Sequence, residues 1–341
     1  MSLHPHSHLA PMTNSVPKAV LYFHPKSVES ATVLLTLEEK GYGSDEFDTK
    51  VVDITKGENF APSYLRLNIT GSVPTLVVPT NKTLAPEIEN KYRAITDVKA
   101  IVEFLDKSRS TNSRTHTTST APAPTLAPAT IADANVASQI IAVLHAPAFD
   151  PLFLLLAARN AEELSAKANG PLGVRLRAVR DAIAGYLAEP TAGSADDADV
   201  PKPLHHRVKK VLEEKQADNA ALLSVYQSTE SDSALRQPFF ARSVTTWDSD
   251  LKKIFDALEK LIAGPYTLGD QLSIPDLHLI SWIAHVVHVA GGEGNMAGLA
   301  SVEKEVTDGK GGWEIGTKVR AFWEAAIERK SFQKVYADGL H

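Results

Sequence analysis

The sequence predicts an α/β domain followed by an all-helical domain. Three observations carry this prediction: strands and helices alternate before residue 108, the periodic segments after residue 130 are helical, and the stretch between them is rich in Ser, Thr and Pro. The length of 341 residues agrees, since it corresponds to about two domains. The predicted parts are a disordered leader (1–17), the α/β domain (18–107), a linker (108–130) and the helical domain (131–341) with an insertion around 189–245.

The α/β domain begins with a predicted strand and helix. The β-branched and aromatic segment 19–23 ends at His24-Pro25, which is typical of a strand. In 27–40 the apolar residues recur at helical spacing and Gly41 follows, so the pattern predicts a helix that ends at a glycine.

The rest of this domain continues the alternation. Segments 47–54 and 74–80 are predicted strands, 62–68 a short helix and 96–107 a longer helix. One face of the longer helix is apolar and consists of Val98, Ile101, Val102 and Leu105. A fourth strand is expected within 81–95, where prolines and charges obscure its position.

The second domain shows helical periodicity throughout. The predicted helices are 133–145, 150–168, 172–188, 204–227, 243–262, 274–290 and 317–336. Ser273 and Asp276 flank Pro275 at the start of 274–290, a pattern typical of a capped helix N-terminus. The residues that follow are apolar nearly all round, which predicts that this helix is central to the domain.

Composition excludes several classes of function. The chain has no cysteine, so disulfides, thiolate metal sites, cysteine nucleophiles and an enzyme mixed disulfide are excluded. A net charge of −6 argues against a nucleic-acid partner, and no apolar run is long enough to predict a membrane span. The absence of cysteine favours a reducing compartment, and we expect a cytoplasmic location.

Histidine clusters do not predict a metal site. His4, His6 and His8 lie in the leader, where a mobile tail is the simpler interpretation. His278, His285 and His288 lie on one predicted helix, but no nearby carboxylate or cysteine completes a ligand set. We therefore expect no metal.

Five stretches of sequence carry a family resemblance. They are LYFHPKSVESATVLLTLEEKG (21–41), VVDITKGENFAPSYLRLNITGSVPTLVV (51–78), ITDVKAIVEFLD (95–106), YTLGDQLSIPDLHLISW (266–282) and WEAAIERKSFQKVY (323–336). Together they cover about a quarter of the chain, and in this order they resemble the glutathione transferase family, as an atypical Ser-type member with long insertions. The resemblance implies a thioredoxin-like glutathione-binding domain, a helical bundle domain, glutathione as co-substrate, detoxification and a homodimer.

The resemblance places Ser27 where the family carries its activating residue. A hydroxyl at this position can donate to a sulfur anion, and the free N–H groups of a helix N-terminus add positive potential. Both favour the thiolate of a bound glutathione over the thiol. Ser30 is the alternative donor, and Ser27 can also act only as a helix cap.

Five other residues are implied glutathione contacts. Val73-Pro74 resembles the family's cis-proline turn, whose main chain pairs with the cysteinyl portion of glutathione. Asn59 matches a position that meets the glycyl carboxylate. Asp97 can accept from the γ-glutamyl ammonium, but Val98 stands where the family usually has a serine, and losing that hydrogen bond costs about 1.5–3 kcal/mol.

The leading prediction is a transferase that conjugates or reduces small hydrophobic electrophiles. The helical domain is expected to supply an apolar pocket, with His24, Pro25, Phe149, Phe153 and Tyr186 as candidate wall residues. Reduction of a peroxide or an ether-like substrate with glutathione stays open as a further activity. The alternative is a non-catalytic ligand carrier or regulatory protein, favoured by Val98 and by the extra length in the insertions.

Overall fold

A computed structural model describes residues 18–80, 92–110, 118–188 and 204–341. The predicted disordered leader lies outside these residues, and so do residues 189–203, the first part of the predicted insertion.

The N-terminal domain is built on a four-stranded sheet with the order β2-β1-β3-β4. Its strands are β1 (Ala19–Phe23), β2 (Phe47–Val51), β3 (Thr75–Pro79) and β4 (Tyr92–Ile95). β1 pairs with β2 in parallel, whereas β3 runs antiparallel to β1 and β4. All four strands fall within the segments predicted for them, β4 at the end of 81–95.

Three helices complete this domain: α1 (Val28–Glu39), α2 (Pro62–Leu65) and α3 (Val98–Ser108). The predicted apolar face of α3 is confirmed, since Val98, Ile101, Val102 and Leu105 are all buried. Burying that face against α1 and the sheet gives the domain its own part of the core.

The second domain is helical throughout its described residues. Its helices are α4 (Ile131–Leu144), α5 (Pro151–Leu156), α6 (Ala161–Asn169), α7 (Pro171–Ala188), α8 (His206–Tyr226), α9 (Ser233–Thr245), α10 (Leu251–Leu261), α11 (Ile274–Val289), α12 (Ala297–Val306), α13 (Thr317–Ile327) and α14 (Lys330–Val335). The predicted fold class, a thioredoxin-like α/β domain followed by a helical domain, is confirmed.

Some predicted helices differ from the observed ones. The segment 150–168 splits because Ala157 is extended and the Asn160 side chain starts a new helix by accepting from the Glu163 N–H. The segment 317–336 splits at Arg329, which is also extended. The segment 243–262 contains a π-helical turn at Thr246–Asp250, and α12 was not predicted.

Helix α11 forms the centre of the second domain, as predicted. Every residue from Ile274 to Val287 is buried, and α11 packs against α1, α4, α5 and α12. The predicted cap is confirmed: the Asp276 carboxylate accepts from the N–H groups of Ser273 and Thr267, both at 2.6 Å.

The segment 118–130 packs onto the N-terminal domain, although its composition predicts an exposed stretch. Leu126 is only 1% exposed. Asp106 accepts from the Leu126 N–H at 2.9 Å and from Lys40 Nζ at 2.9 Å, and Lys40 also donates to the Pro124 carbonyl at 2.6 Å. Tertiary hydrogen bonds to buried charges therefore order a segment that has few apolar residues of its own.

Helices α7 and α8 cover one edge of the N-terminal domain. Leu65 of α2 packs in a cluster with Val179 and Ile183 of α7 and Leu212 of α8. The α6–α8 region, part of it in the predicted insertion, thus lies over the residues that follow β2.

Candidate active site

Ser27 lies at the N-terminus of α1, directly after the loop that follows β1. Its backbone is extended, and its Oγ accepts from the Ser30 N–H at 3.3 Å, so it caps the helix. The side chain is partly exposed and can still donate its hydroxyl proton to another group. The unpaired N–H groups of this helix end favour an anion at the same place.

Ser30, the alternative to Ser27, is closed off. It is 0% exposed, and its Oγ accepts from the His24 N–H at 3.3 Å. Its hydroxyl therefore secures the loop before α1 and does not reach a cleft. Of the two candidate hydroxyls, only that of Ser27 is accessible.

The turn at Val73-Pro74, directly before β3, has a cis peptide bond, as predicted. The Tyr64 hydroxyl and the Asn68 amide hold this turn, donating to the Ser72 carbonyl at 2.6 and 2.9 Å. No described residue pairs with the main-chain N–H or C=O of Val73. This edge can accept an extended peptide as an added strand.

Asn59 is 7% exposed, and its amide is turned inward. Its Nδ2 donates to the Gly71 carbonyl at 2.7 Å, and its Oδ1 has no partner among the described residues. One of the two N–H donors of this amide is therefore already engaged in holding the loop.

Arg175 of α7 stands near the same loop, and the sequence alone does not indicate it. Its charge contributes to lowering the pKa of His24, after burial, and Asp53 is its main charged neighbour. Burial lowers the pKa of Arg175, and the guanidinium makes no ion pair or hydrogen bond with a described residue. An unpaired, partly buried guanidinium is suited to bind a carboxylate.

Asp97 and Val98 begin α3. The Asp97 carboxylate accepts from the Ala100 N–H at 2.9 Å and is exposed, so it retains acceptor capacity for a ligand. The Val98 side chain is 5% exposed and packs in the core. Val98 can therefore offer only its main chain to a ligand at this helix end.

A cavity of about 220 Å³ opens between the two domains at the first turns of α1, and Ser27 is not among its lining residues. Its lining comes from α1, from the loop between α4 and α5, and from α11: Val28, Glu29, Thr32, Leu144, His145, Ala146, Pro147, Asp150, Pro151, His278, Ser281 and Trp282. The wall thus combines apolar groups with two carboxylates and two histidines.

Hydrogen bonds across this cavity join the domains. The hydroxyls of Thr32 and Ser281 lie 2.6 Å apart, and His145 Nε2 lies 3.0 Å from His278 Nδ1. Burial lowers the pKa of His278 to about 3, so this ring is neutral at pH 7.

The predicted wall residues lie elsewhere, and none of the five lines this cavity. The buried His24 donates from Nδ1 to the Val52 carbonyl at 3.2 Å, and Pro25 is exposed in the same loop. Phe149 packs edge-on against Trp282, whereas Phe153 packs against Phe239 and Tyr186 lies in the cluster under α7 and α8.

Part of the chain is similar to a known protein family. Residues 27–108 match the family model of the glutathione S-transferase N-terminal domain. Residues 27–108 therefore form a domain of the glutathione S-transferase N-terminal type. No curated protein sequence matches the chain.

Solved glutathione transferase structures are similar to the chain over most of its length. The beta-etherase LigF from Sphingobium sp. strain SYK-6 is 15% identical with a TM-score of 0.53, covering 94% of this chain and all of that one (100%). Glutathione transferase F2 from Populus trichocarpa is 16% identical with a TM-score of 0.48, covering 94% and 98%. The similarity to LigF establishes a shared fold.

The described residues contain neither a membrane-spanning helix nor a metal-binding cluster. No described helix has the length and apolarity needed to cross a bilayer. Within the same residues, no three His, Asp or Glu side chains converge in a way that could hold a metal ion.

Proposed function

We propose that this protein is a glutathione transferase in which Ser27 stabilises the glutathione thiolate. The family match supports glutathione binding, and the accessible Ser27 hydroxyl at the N-terminus of α1, with Ser30 closed off, is the observation that carries the role of Ser27. The Ser27 hydroxyl and the α1 N–H groups lower the pKa of the bound thiol, so more of the nucleophile is present at neutral pH.

The residues around Ser27 position the tripeptide. The main chain of Val73 pairs with the cysteinyl portion, and the Asp97 carboxylate accepts from the γ-glutamyl ammonium. Asn59, engaged with Gly71, is replaced in our proposal by Arg175, whose unpaired guanidinium binds the glycyl carboxylate.

The second substrate enters the cavity between the domains. Val28, Leu144 and Trp282 provide apolar wall, and Glu29 and Asp150 make the wall polar as well. The thiolate sulfur forms a bond to the electrophilic carbon there, and the leaving group departs with the electron pair of the broken bond. A polar wall favours electrophiles with hydrogen-bonding groups over purely hydrophobic ones.

Two measurements distinguish the proposed transferase from the alternative, a non-catalytic carrier. Calorimetry with glutathione tests binding, and a conjugation assay with chlorodinitrobenzene on wild type, Ser27→Ala and Ser30→Ala tests turnover. We expect Ser27→Ala to lower kcat/KM by about ten- to a hundredfold, as for loss of one hydrogen bond to a charged group, and to raise the pKa of the bound thiol.

Ser30→Ala serves as the matched control, and we expect it to lower stability without a comparable change in the pKa of the thiol. Glutathione binding without turnover would favour the carrier. No binding at millimolar glutathione would contradict the proposal as a whole.

Peroxide reduction, a homodimer, a role in detoxification and a cytoplasmic location stay predictions. A peroxidase assay tests the first, and sedimentation tests the second.

A further inference from the structure

Glu29 is a carboxylate on the cavity wall without a partner. It lies in the first turn of α1, two residues after Ser27, and it makes no hydrogen bond or ion pair with any described residue. Its side chain is partly buried. The proposed transferase chemistry at Ser27 gives it no role.

Two other carboxylates lie close to Glu29. Asp150 is on the same wall, and Asp97 begins α3; each accepts from one N–H of its own helix, that of Phe153 or of Ala100, both at 2.9 Å. Burial, followed by the charges of Asp150 and Asp97, raises the pKa of Glu29 to about 7, and no described cation opposes this shift. At pH 7 the cavity therefore carries acidic charge that the protein does not neutralise.

The remaining titratable and charged groups around the cavity do not compensate it. His145, directly after α4, and His278 on α11 are kept neutral, since burial is the main cause that lowers the pKa of each ring. The charge of Lys99 on α3 also lowers the pKa of both histidines, but it does not contribute to the shifted pKa of Glu29.

This group of three carboxylates lowers the free energy of unfolding at neutral pH. A carboxylate that ionises near two others, with no cation in contact, opposes folding without any compensating contact. Groups that cost stability in this way and line a cleft are candidates for ligand binding.

A second observation also points to a ligand. His278 is 2% exposed and lines the same cavity, and its Nε2 has no partner among the described residues. Buried polar atoms are nearly always paired, so unpaired ones at a cavity indicate a bound group.

We propose that this cavity binds an ammonium group, with Glu29 as its principal counter-ion and Asp150 beside it. The apolar surfaces of Val28, Leu144 and Trp282 contact the organic part of the same molecule. In terms of the proposed function, on which this assignment rests, the second substrate is an amine. Glutathione also carries an ammonium group. The predicted partner of that group is Asp97, whose charge acts on Glu29.

Proton release distinguishes the two sources. An ammonium group favours the ionised form of Glu29, so its binding at pH 7 expels the proton that part of the Glu29 population holds. Calorimetry in buffers of different ionisation enthalpy measures this proton. The first pair of probes is phenethylamine and its neutral analogue phenylethanol, each added without glutathione. The second pair is S-methylglutathione and its N-acetyl derivative. The sulfur of both glutathione probes is methylated and cannot ionise.

The variants are Glu29→Gln and, as a matched control, Glu103→Gln on the exposed face of α3. Glu103 pairs only with Lys107 at the surface, so its loss has little effect. We expect wild type and Glu103→Gln to bind phenethylamine about ten- to a hundredfold more tightly than phenylethanol, with proton release. Glu29→Gln should lose both the preference and the release.

Each outcome decides between the sources or against the proposal. Preference for phenethylamine that depends on Glu29 assigns the ammonium to the second substrate. Proton release that depends on Glu29 with S-methylglutathione only, and is absent with the N-acetyl derivative, assigns it to glutathione. If neither ligand shows a response that depends on Glu29, the proposal is overturned, whereas the role of Ser27 would still stand.

Discussion

The two ends of α1 differ in how their charges are satisfied. At its C-terminal end, Glu39 accepts from Arg329 at two positions, both at 2.6 Å, and Lys40 is fully buried against Asp106. At its N-terminal end, Glu29 has no described partner and the Ser27 hydroxyl is accessible. The satisfied end joins the domains, and the unsatisfied end faces the cavity.

This difference separates structural charges from those that are free for a ligand. A buried ion pair with complete hydrogen bonding holds the interface in one geometry. An unpaired charge, in contrast, is stabilised only when a ligand binds to it. The first class should respond to mutation through stability, and the second through binding and pH.

The largest expected effect is at the satisfied end. Lys40→Met removes the cation from Asp106 and from the Pro124 carbonyl, leaving a buried carboxylate that still holds Leu126. We expect a loss of about 3–5 kcal/mol in the free energy of unfolding, measured by chemical denaturation.

Lys107→Met is the control for Lys40→Met, because Lys107 pairs with Glu103 at the exposed surface and should contribute less than about 1 kcal/mol. If both variants were equally stable, Lys40 would not hold the segment 118–130.

At the other end of α1, Glu29→Gln should stabilise the protein, but only at high pH. Burial and the neighbouring carboxylates raise the pKa of Glu29 from 4.5 to about 7 in the folded chain, so ionisation opposes folding as pH rises through this window. Below about pH 4.5 wild type and variant should be equally stable. Above pH 7 the variant should gain about 1–3 kcal/mol, measured by denaturation across pH.

The opposite sign at pH 8, a less stable Glu29→Gln variant, would show that the carboxylate has a stabilising partner. The comparison of the two helix ends would then fail, and with it the main reason to assign Glu29 to a ligand.

Much of the fold could be predicted from the sequence, because it follows from local patterns. The apolar face of α3, the capped start of α11 at Ser273 and the turn at Val73-Pro74 each depend on residues close together in the chain. Leu126 could not be predicted to be buried, since its burial depends on Asp106 and Lys40 from other elements.

The candidate site was less predictable for the same reason. Ser27 was indicated by its family position. Glu29 resembled any acidic residue in a first helical turn, and Arg175 any cation on an amphipathic helix. Their lack of partners is a tertiary property. Phe153 and Tyr186 were predicted from their aromatic character alone, and they lie in other clusters.

A smaller effect is expected for Arg175, the other unpaired charge. Arg175→Gln should raise the Kd for glutathione by about ten- to a hundredfold, because one charge-assisted contact to the glycyl carboxylate is lost. The glycyl ethyl ester of glutathione lacks that charge, so calorimetry should show little difference between variant and wild type for the ester.

Arg180→Gln is the matched control on the same helix, where Arg180 is exposed and pairs with Asp181. An equal loss of affinity for glutathione and for its ester would mean that Arg175 acts on the fold of α7 and not on the carboxylate.

The smallest effect is expected for Asp97→Asn. Asparagine caps a helix about as well as aspartate, so α3 should keep its N-terminus and its stability while the negative charge is lost. Because Asp97 is exposed and its attraction for an ammonium group is screened, we expect the Kd for glutathione to rise about three- to tenfold at low salt and less at high salt. Calorimetry at two salt concentrations measures this, with Asp133→Asn at the start of α4 as the control. A loss that does not depend on salt would show that Asp97 contributes through its cap and not through its charge.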